Sequence, residues 1–315
     1  MYPASFEYFA PETIDEALTI LERFGDEGKV LAGGQSLIPL MKLRFAAPRA
    51  VVDINRIAGL DGLGEDDGRL RIGALVRHKA CERSALLHGR WGTLGDAAPQ
   101  ISDPLVRNLG TVAGSLAHAD PQGDWGSAML AMRAEVVARG SGGARTISID
   151  DFLQGPFTTA LRPGEIVTEV RVPDPGPRSG GTYLKLERKV GDFATVGVAV
   201  HLTLANGTVG RAGIALTGVG PINTRATAAE EALAGRTLDD EAIAEAARLA
   251  AEAAEPLADV RGSVEYKRNA IRVLTERGLR HAAESAREEP RDGDEQFAGH
   301  ETVEGVMDEI EEKDQ

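Results

Sequence analysis

Two short stretches of this chain carry residue types that can bind an anion through the main chain. Val30-Leu31-Ala32-Gly33-Gly34-Gln35-Ser36-Leu37 runs from an apolar approach into a Gly-Gly-polar-Ser turn and then a helical pattern. Further on, Gly110-Thr111-Val112-Ala113-Gly114-Ser115 reads in the same order: strand, small-residue turn, helix start. Such turns gather several backbone N–H groups in one place and suit a phosphate. Two of them suit one bridging group with two phosphates. Taken alone, each is also a plain tight turn, with Ser36 as a helix N-cap.

The polar residues nearby have two readings each. Asp120-Pro121 starts a turn and Asp124 caps the helix that begins at Trp125; alternatively Asp124 accepts hydrogen bonds from a ligand's hydroxyls or ring nitrogen. In Tyr183-Leu184-Lys185-Leu186-Glu187 the odd positions form the more polar face of a strand, so Lys185 is expected at the surface. A cation there could instead offset the charge of a phosphate or a flavin. Phe193 is expected in the core rather than as a stacking lid.

Other chemistry is excluded by what the chain lacks. A single cysteine, Cys81, can form no internal disulfide, ligate no iron–sulfur cluster and build no cysteine zinc site. Flanked by Ala80 and Glu82-Arg83, it reads as a packing residue. The histidines show no H-E-x-x-H spacing, no complete G-x-G-x-x-G occurs, and Gly114-Ser115-Leu116 lacks the flanking glycine of a nucleophile elbow. No apolar run is long enough to span a bilayer, and the N-terminus has no signal-peptide pattern, so a cytoplasmic protein is expected. Residues 284–315 carry thirteen acidic side chains against Arg287, Arg291 and Lys313, so most of the net charge of −14 sits there. No basic stripe for nucleic acid is left.

The elements that must position the turns follow from patterning. Thr13-Ile14-Asp15-Glu16 is a capping box opening an apolar stripe that ends at Gly25. Strands are expected at 29–32 and 50–54, with a helix from Leu37 that tolerates Pro39 in its first turn. A Gly/Asp-rich hairpin at 62–68 opens a second unit with helices near 79–87, 91–98 and 125–132, and strands at 134–138, 145–149 and 165–172. The Pro/Gly-rich stretch 173–181 reads as a linker. Beyond it come long alternating strands at 182–189, 195–205 and 209–217, the last two joined by Asn206-Gly207. Helices at 225–234, 240–254 and 263–285 complete an α+β unit whose antiparallel sheet is covered on one face by helices. The expected division is 1–57, 58–175, 176–283 and an acidic tail 284–315, with one short helix at 301–312.

Taken together, Ala32-Gly33-Gly34-Gln35-Ser36-Leu37-Ile38-Pro39-Leu40-Met41-Lys42 and Arg107-Asn108-Leu109-Gly110-Thr111-Val112-Ala113-Gly114-Ser115-Leu116-Ala117-His118-Ala119-Asp120-Pro121 resemble the FAD-binding medium subunit of the molybdenum hydroxylases, the family of carbon monoxide dehydrogenase and xanthine dehydrogenase. Asp124, Leu161-Arg162-Pro163-Gly164-Glu165, Lys185 and Tyr266-Lys267-Arg268 extend the resemblance. It implies a two-part FAD-binding region of the vanillyl-alcohol-oxidase (PCMH) type, followed by a C-terminal antiparallel sheet with helices.

Carried over by position, Ala32, Gly33, Gly34, Gln35 and Ser36 would cradle the FAD pyrophosphate, with Leu31 and Leu37 beside them. Thr111, Ala113, Gly114, Ser115 and His118 would meet the phosphates and ribityl chain, Asp124 polar groups at the other end, and Leu161 and Lys185 the isoalloxazine. Gln35 stands where carbon monoxide dehydrogenases often carry His. Phe193 lies near a position where some members place Tyr, which bears on the electron acceptor more than on the cofactor.

The resemblance also implies partners: an iron–sulfur small subunit with two [2Fe–2S] clusters and a molybdenum-cofactor large subunit, assembled as a dimer of heterotrimers. Electrons would pass to NAD⁺, a quinone, oxygen or another acceptor, and no catalytic base is expected on this chain. A stand-alone flavin oxidoreductase and a scaffold that has lost FAD are the competing readings. Valine at Gly33 or Gly114 is expected to abolish FAD retention by intruding where backbone approaches phosphate.

Overall fold

Thr13 and Gly25 bracket the first helix: the Thr13 hydroxyl accepts from the Glu16 N–H at 3.2 Å, and Ile14–Phe24 stops at Gly25. Its buried face, Ala17, Leu18, Leu21 and Phe24, lies on a parallel sheet in which Ala50–Asp53 runs between Glu7–Phe9 and Gly28–Leu31. Parallel strands need a crossover, and this helix supplies the one from Glu7–Phe9 to Gly28–Leu31, the two strands that flank the central one. The structure, a computed structural model, describes residues 2–287. The acidic stretch beyond, with the helix expected at 301–312, lies outside the described residues.

The second sheet is antiparallel, in the order Leu63–Asp66, Arg69–Gly73, Ile166–Pro173, Glu135–Gly140, Gly143–Ser148. Between Arg69–Gly73 and Glu135–Gly140 the chain passes through short helices that carry the second glycine turn. The single helix expected over 79–87 is two, His78–Glu82 and Ala85–Gly89, because the Ser84 hydroxyl accepts from the Leu87 N–H and starts a new one. A small hairpin, Leu153–Gly155 with Thr158–Thr159, had no alternating apolar signal to announce it.

The third sheet pairs Ser179–Leu186, Val196–Ala205, Thr208–Thr217 and Thr224–Arg225 in that order. Asn206 and Gly207, at φ of +53° and +83°, make the two-residue turn between its long strands, a conformation that Asn and Gly accept most readily. The linker is shorter than its Pro/Gly content suggests. Pro173 ends one strand and Ser179 begins the next, so Gly180 and Gly181 are packing positions. A Cβ on Gly180 would stand 2.2 Å from the Ala282 carbonyl oxygen, and one on Gly181 2.0 Å from Thr93 Oγ1.

Alternation divides this sheet's side chains between two cores. Val196, Val198, Val200, Leu202, Ile214 and Leu216 pack with the helices Asp240–Glu252 and Val264–Arg287. Tyr183, Ala199 and Ala215, on the opposite face, belong to one continuous apolar cluster with Leu18 and Val52 of the first sheet region and Leu70, Trp125 and Val170 of the second. The sheet is therefore covered on both faces, not one. Small residues allow the close approach: a Cβ on Gly213 would lie 2.0 Å from the carbonyl oxygen of Ala131, in the helix Asp124–Ala131. Gly213→Ala is expected to cost about 1–3 kcal/mol, read as a lower urea midpoint at unchanged slope. Among the described residues no helix is long and apolar enough to cross a membrane.

Candidate functional site

The strand Gly28–Leu31 delivers the chain into the first turn, and the helix Leu37–Lys42 carries it away. Gly34 sits at φ +72°, which a side chain would resist. Ser36 occupies the helix N-cap position, yet its hydroxyl makes no capping bond. Among the described residues, the N–H groups of Gly33, Gly34, Gln35, Ser36 and Leu37 donate to no protein acceptor, while Gln35 Nε2 donates to the Gly33 carbonyl at 3.1 Å. Five half-buried donors are thus left for an external acceptor.

The second turn follows the helix Pro104–Leu109 and opens the helix Val112–His118. The Thr111 hydroxyl caps it, accepting from the Gly114 N–H at 3.1 Å. His78 N–H donates to the Gly110 carbonyl and Val112 N–H to the Val76 carbonyl, which fixes the turn to the second sheet region. The N–H groups of Thr111 and Ala113 have no protein acceptor among the described residues. The two turns touch: a Cβ on Gly33 would lie 2.3 Å from the Leu109 carbonyl oxygen and 2.7 Å from Gly110 Cα.

Sequence reasoning missed two side chains at this contact. Asn55 Nδ2 donates to the Ala32 carbonyl at 2.9 Å, and Arg77 donates both to Asn55 Oδ1 and to the Leu109 carbonyl. Burial pulls the Arg77 guanidinium below its usual range, against the opposing pull of Asp53. No motif could have flagged them, since they follow unrelated strands.

Asp124 and Lys185 meet in a second, buried group. Gly123, not Asp124, occupies the helix N-cap position, and the Asp124 carboxylate accepts from Tyr183 Oη at 2.6 Å and Lys185 Nζ at 3.2 Å. Lys185, expected at the surface, has a side chain only 1% exposed, because its strand face is the one packed on the second region. Its ammonium also donates to the Gln100 carbonyl at 2.8 Å and pairs with Glu187 at 3.3 Å. Burial raises the Asp124 carboxyl above the usual carboxylate range, with Lys185 and Tyr183 pulling the other way.

The next residue connects this group to the second turn. Trp125 Nε1 donates to His78 Nδ1 at 3.0 Å, and the His78 ring lies where a Cβ on Gly110 would meet it at 2.7 Å. Burial pushes the His78 imidazole down to about 4, so it stays neutral and Nδ1 remains an acceptor at neutral pH.

The remaining expected residues lie around these groups. The His118 ring lies against that of Phe157, tilted by 47° with centroids 5.1 Å apart. Ser115 Oγ stands 3.8 Å from where a Cβ on Gly123 would be. Leu161, in the loop between Thr158–Thr159 and Ile166–Pro173, donates its N–H to Thr159 Oγ1 and shares no hydrogen bond with either group. Phe193, expected in the core, is 52% exposed. Cys81 is buried and its thiol pushed up to about 12, which suits a packing residue. No His/Cys/Asp/Glu group able to hold a metal occurs among the described residues.

Known proteins match this arrangement over nearly its whole described length. Residues 4–175 match the family described as the FAD binding domain in molybdopterin dehydrogenase, and residues 181–282 match the CO dehydrogenase flavoprotein C-terminal domain. The carbon monoxide dehydrogenase medium chain of Hydrogenophaga pseudoflava is 39% identical over 90% of this chain and 98% of its own. The 6-hydroxypseudooxynicotine dehydrogenase complex subunit alpha of Paenarthrobacter nicotinovorans is 38% identical over 91% of this chain and 97% of its own. A solved carbon monoxide dehydrogenase from Hydrogenophaga pseudoflava superposes with a TM-score of 0.88 at 41% identity, covering 90% of this chain and 99% of the other. The chain belongs to the family of FAD-binding medium subunits of molybdenum-containing dehydrogenases.

Proposed function

We propose that this chain is the electron-transfer subunit of such an enzyme, standing between the [2Fe–2S] clusters of a small partner subunit and an external acceptor, NAD or another. A large subunit would hold the molybdenum cofactor, in a cytoplasmic dimer of heterotrimers. Bound FAD supplies the redox chemistry. The buried lone thiol supports clusters held on another chain. Relatives of nearly equal identity are named for substrates as unlike as carbon monoxide and 6-hydroxypseudooxynicotine, which supports substrate selection outside this subunit.

The observation that carries this reading is the contact of two turns with unpartnered N–H groups. The FAD pyrophosphate would lie there, held by Ala32, Gly33, Gly34, Gln35 and Ser36 with Leu31 and Leu37 beside them, and by Thr111, Ala113, Gly114 and Ser115. His118 would meet the ribityl chain and Leu161 the isoalloxazine; Lys185, its ammonium already engaged by Gln100, Asp124 and Glu187, would approach the isoalloxazine only by giving up one of these partners. Asp124 already accepts two protein hydrogen bonds, so it would serve a ligand only with its remaining lone pairs. The domain division this reading carries is 1–57 and 58–175 for the two FAD-binding parts and 176–283 for the C-terminal unit.

The visible spectrum of the purified full chain, with release and identification of any yellow cofactor, tests the reading. One FAD per chain is the expected result. A colourless folded chain that refuses added FAD would overturn it in favour of a scaffold.

A further inference from the structure

We propose that Asn55 and Arg77 are positioning residues for FAD: together they latch the two glycine turns at the spacing a pyrophosphate needs. The inference rests on the reading above, in which that group lies between the turns. Asn55 lies in the 3-10 turn Ile54–Arg56 after the first sheet's central strand, Ala50–Asp53, and Arg77 follows Arg69–Gly73 of the second sheet. Asn55 Nδ2 holds the Ala32 carbonyl at 2.9 Å, Asn55 Oδ1 accepts from Arg77 Nη2 at 2.5 Å, and Arg77 Nη1 reaches the Leu109 carbonyl. The Ala32 carbonyl of the first turn is thereby tied to the Leu109 carbonyl, which leads into the second, through two side chains that follow strands of different sheets.

The latch is itself held in place. Asn55 donates through its N–H and Nδ2 to Asp53 Oδ1 at 2.9 and 2.6 Å, while Asp53 Oδ2 accepts from Tyr8 Oη at 2.7 Å. The amide can therefore present its oxygen to Arg77 without rotating. Arg77 spans two acceptors because its guanidinium is a rigid planar fork, a geometry an ammonium cannot reproduce. Asn55 is exposed and Arg77 half-buried, so neither is part of the apolar core. Their loss frees the turns to separate and costs binding through lost preorganisation, with little effect on the fold.

FAD titration of the full chain, followed by flavin fluorescence, tests this with Asn55→Ala, Arg77→Lys and the double variant, alongside melting of each FAD-free protein. Each single variant is expected to weaken binding about tenfold, as loss of a hydrogen bond to a charged group does. The double variant should be no weaker than the worse single, because both break one latch. FAD-free melting temperatures should match wild type. Unchanged affinity, additive losses, or wild-type affinity in Arg77→Lys would overturn the latch while leaving the site intact. A lowered melting temperature without an affinity change would reduce the pair to a structural link and overturn it too. A wild-type chain that binds no FAD would overturn the site, and the latch with it.

Discussion

Gly33→Val is expected to yield a folded chain with almost no bound flavin. The first obstacle to the new side chain is the neighbouring turn: its Cβ would lie 2.3 Å from the Leu109 carbonyl oxygen. That neighbour is backbone, already engaged by Arg77, so the turns must move apart. Overpacking of this kind costs about 1–3 kcal/mol, or roughly five- to 150-fold in affinity if the strain falls wholly on the bound state. Gly114→Val should lose less. Its Cβ would meet the Thr111 hydroxyl at 2.6 Å, and that side chain can rotate at the expense of its cap. Flavin-to-protein absorbance ratios with melting curves measure both, and wild-type flavin content in Gly33→Val would sink the assignment. This steric clash within the protein adds to the sequence-based reason for the expectation, intrusion on the phosphate itself.

The other large effect is on stability. Lys185→Met removes the one ammonium set between Asp124 and Glu187, whose side chains are 7% and 16% exposed. Breaking a buried pair by removing one partner costs about 3–5 kcal/mol, because the remaining charge stays buried. The loss should depend on pH. Burial already raises the Asp124 carboxyl, and without Lys185 it rises further. A carboxyl raised in the folded state contributes stability that is present below its unfolded value of 3.8 and lost as pH rises through the folded value. The gap between variant and wild type therefore widens from acid towards neutral pH. Urea unfolding at pH 5 and pH 8 measures it; a gap equal at both values would refute the account. Adding Asp124→Asn to the variant should recover part of the loss at pH 8.

What could be read from the amino acids was local. Thr13 and Gly25, Asn206-Gly207 and the two glycine turns announce themselves because capping and tight-turn geometry depend on neighbours within a few residues. Both halves of the proposed FAD site are visible in this way. Lys185 was misplaced because alternation along a strand gives the faces but not what covers them, and its face is covered. Asp124 looked like a helix cap because Asp is common at that position, but tertiary partners 59 and 61 residues away claim it. Phe193 defied its type. Asn55 and Arg77 matter only through the loops they join, 23 and 32 residues away along the chain, so their ordinary residue types gave no signal.

The apolar cluster running from Leu18 and Val52 through Leu70, Trp125 and Val170 to Tyr183 and Ala199 has a kinetic consequence. Cofactor clefts between separately packed lobes open by hinge rotation, and a rigid-body swing sets how fast the ligand leaves. Here the lobes on either side of the glycine turns share one interior, so any such swing would expose that interior to water at the expense of global stability. With FAD held between the turns as proposed, its loading and loss would be timed by fraying of the turns, and the off-rate should follow their local opening rather than domain motion.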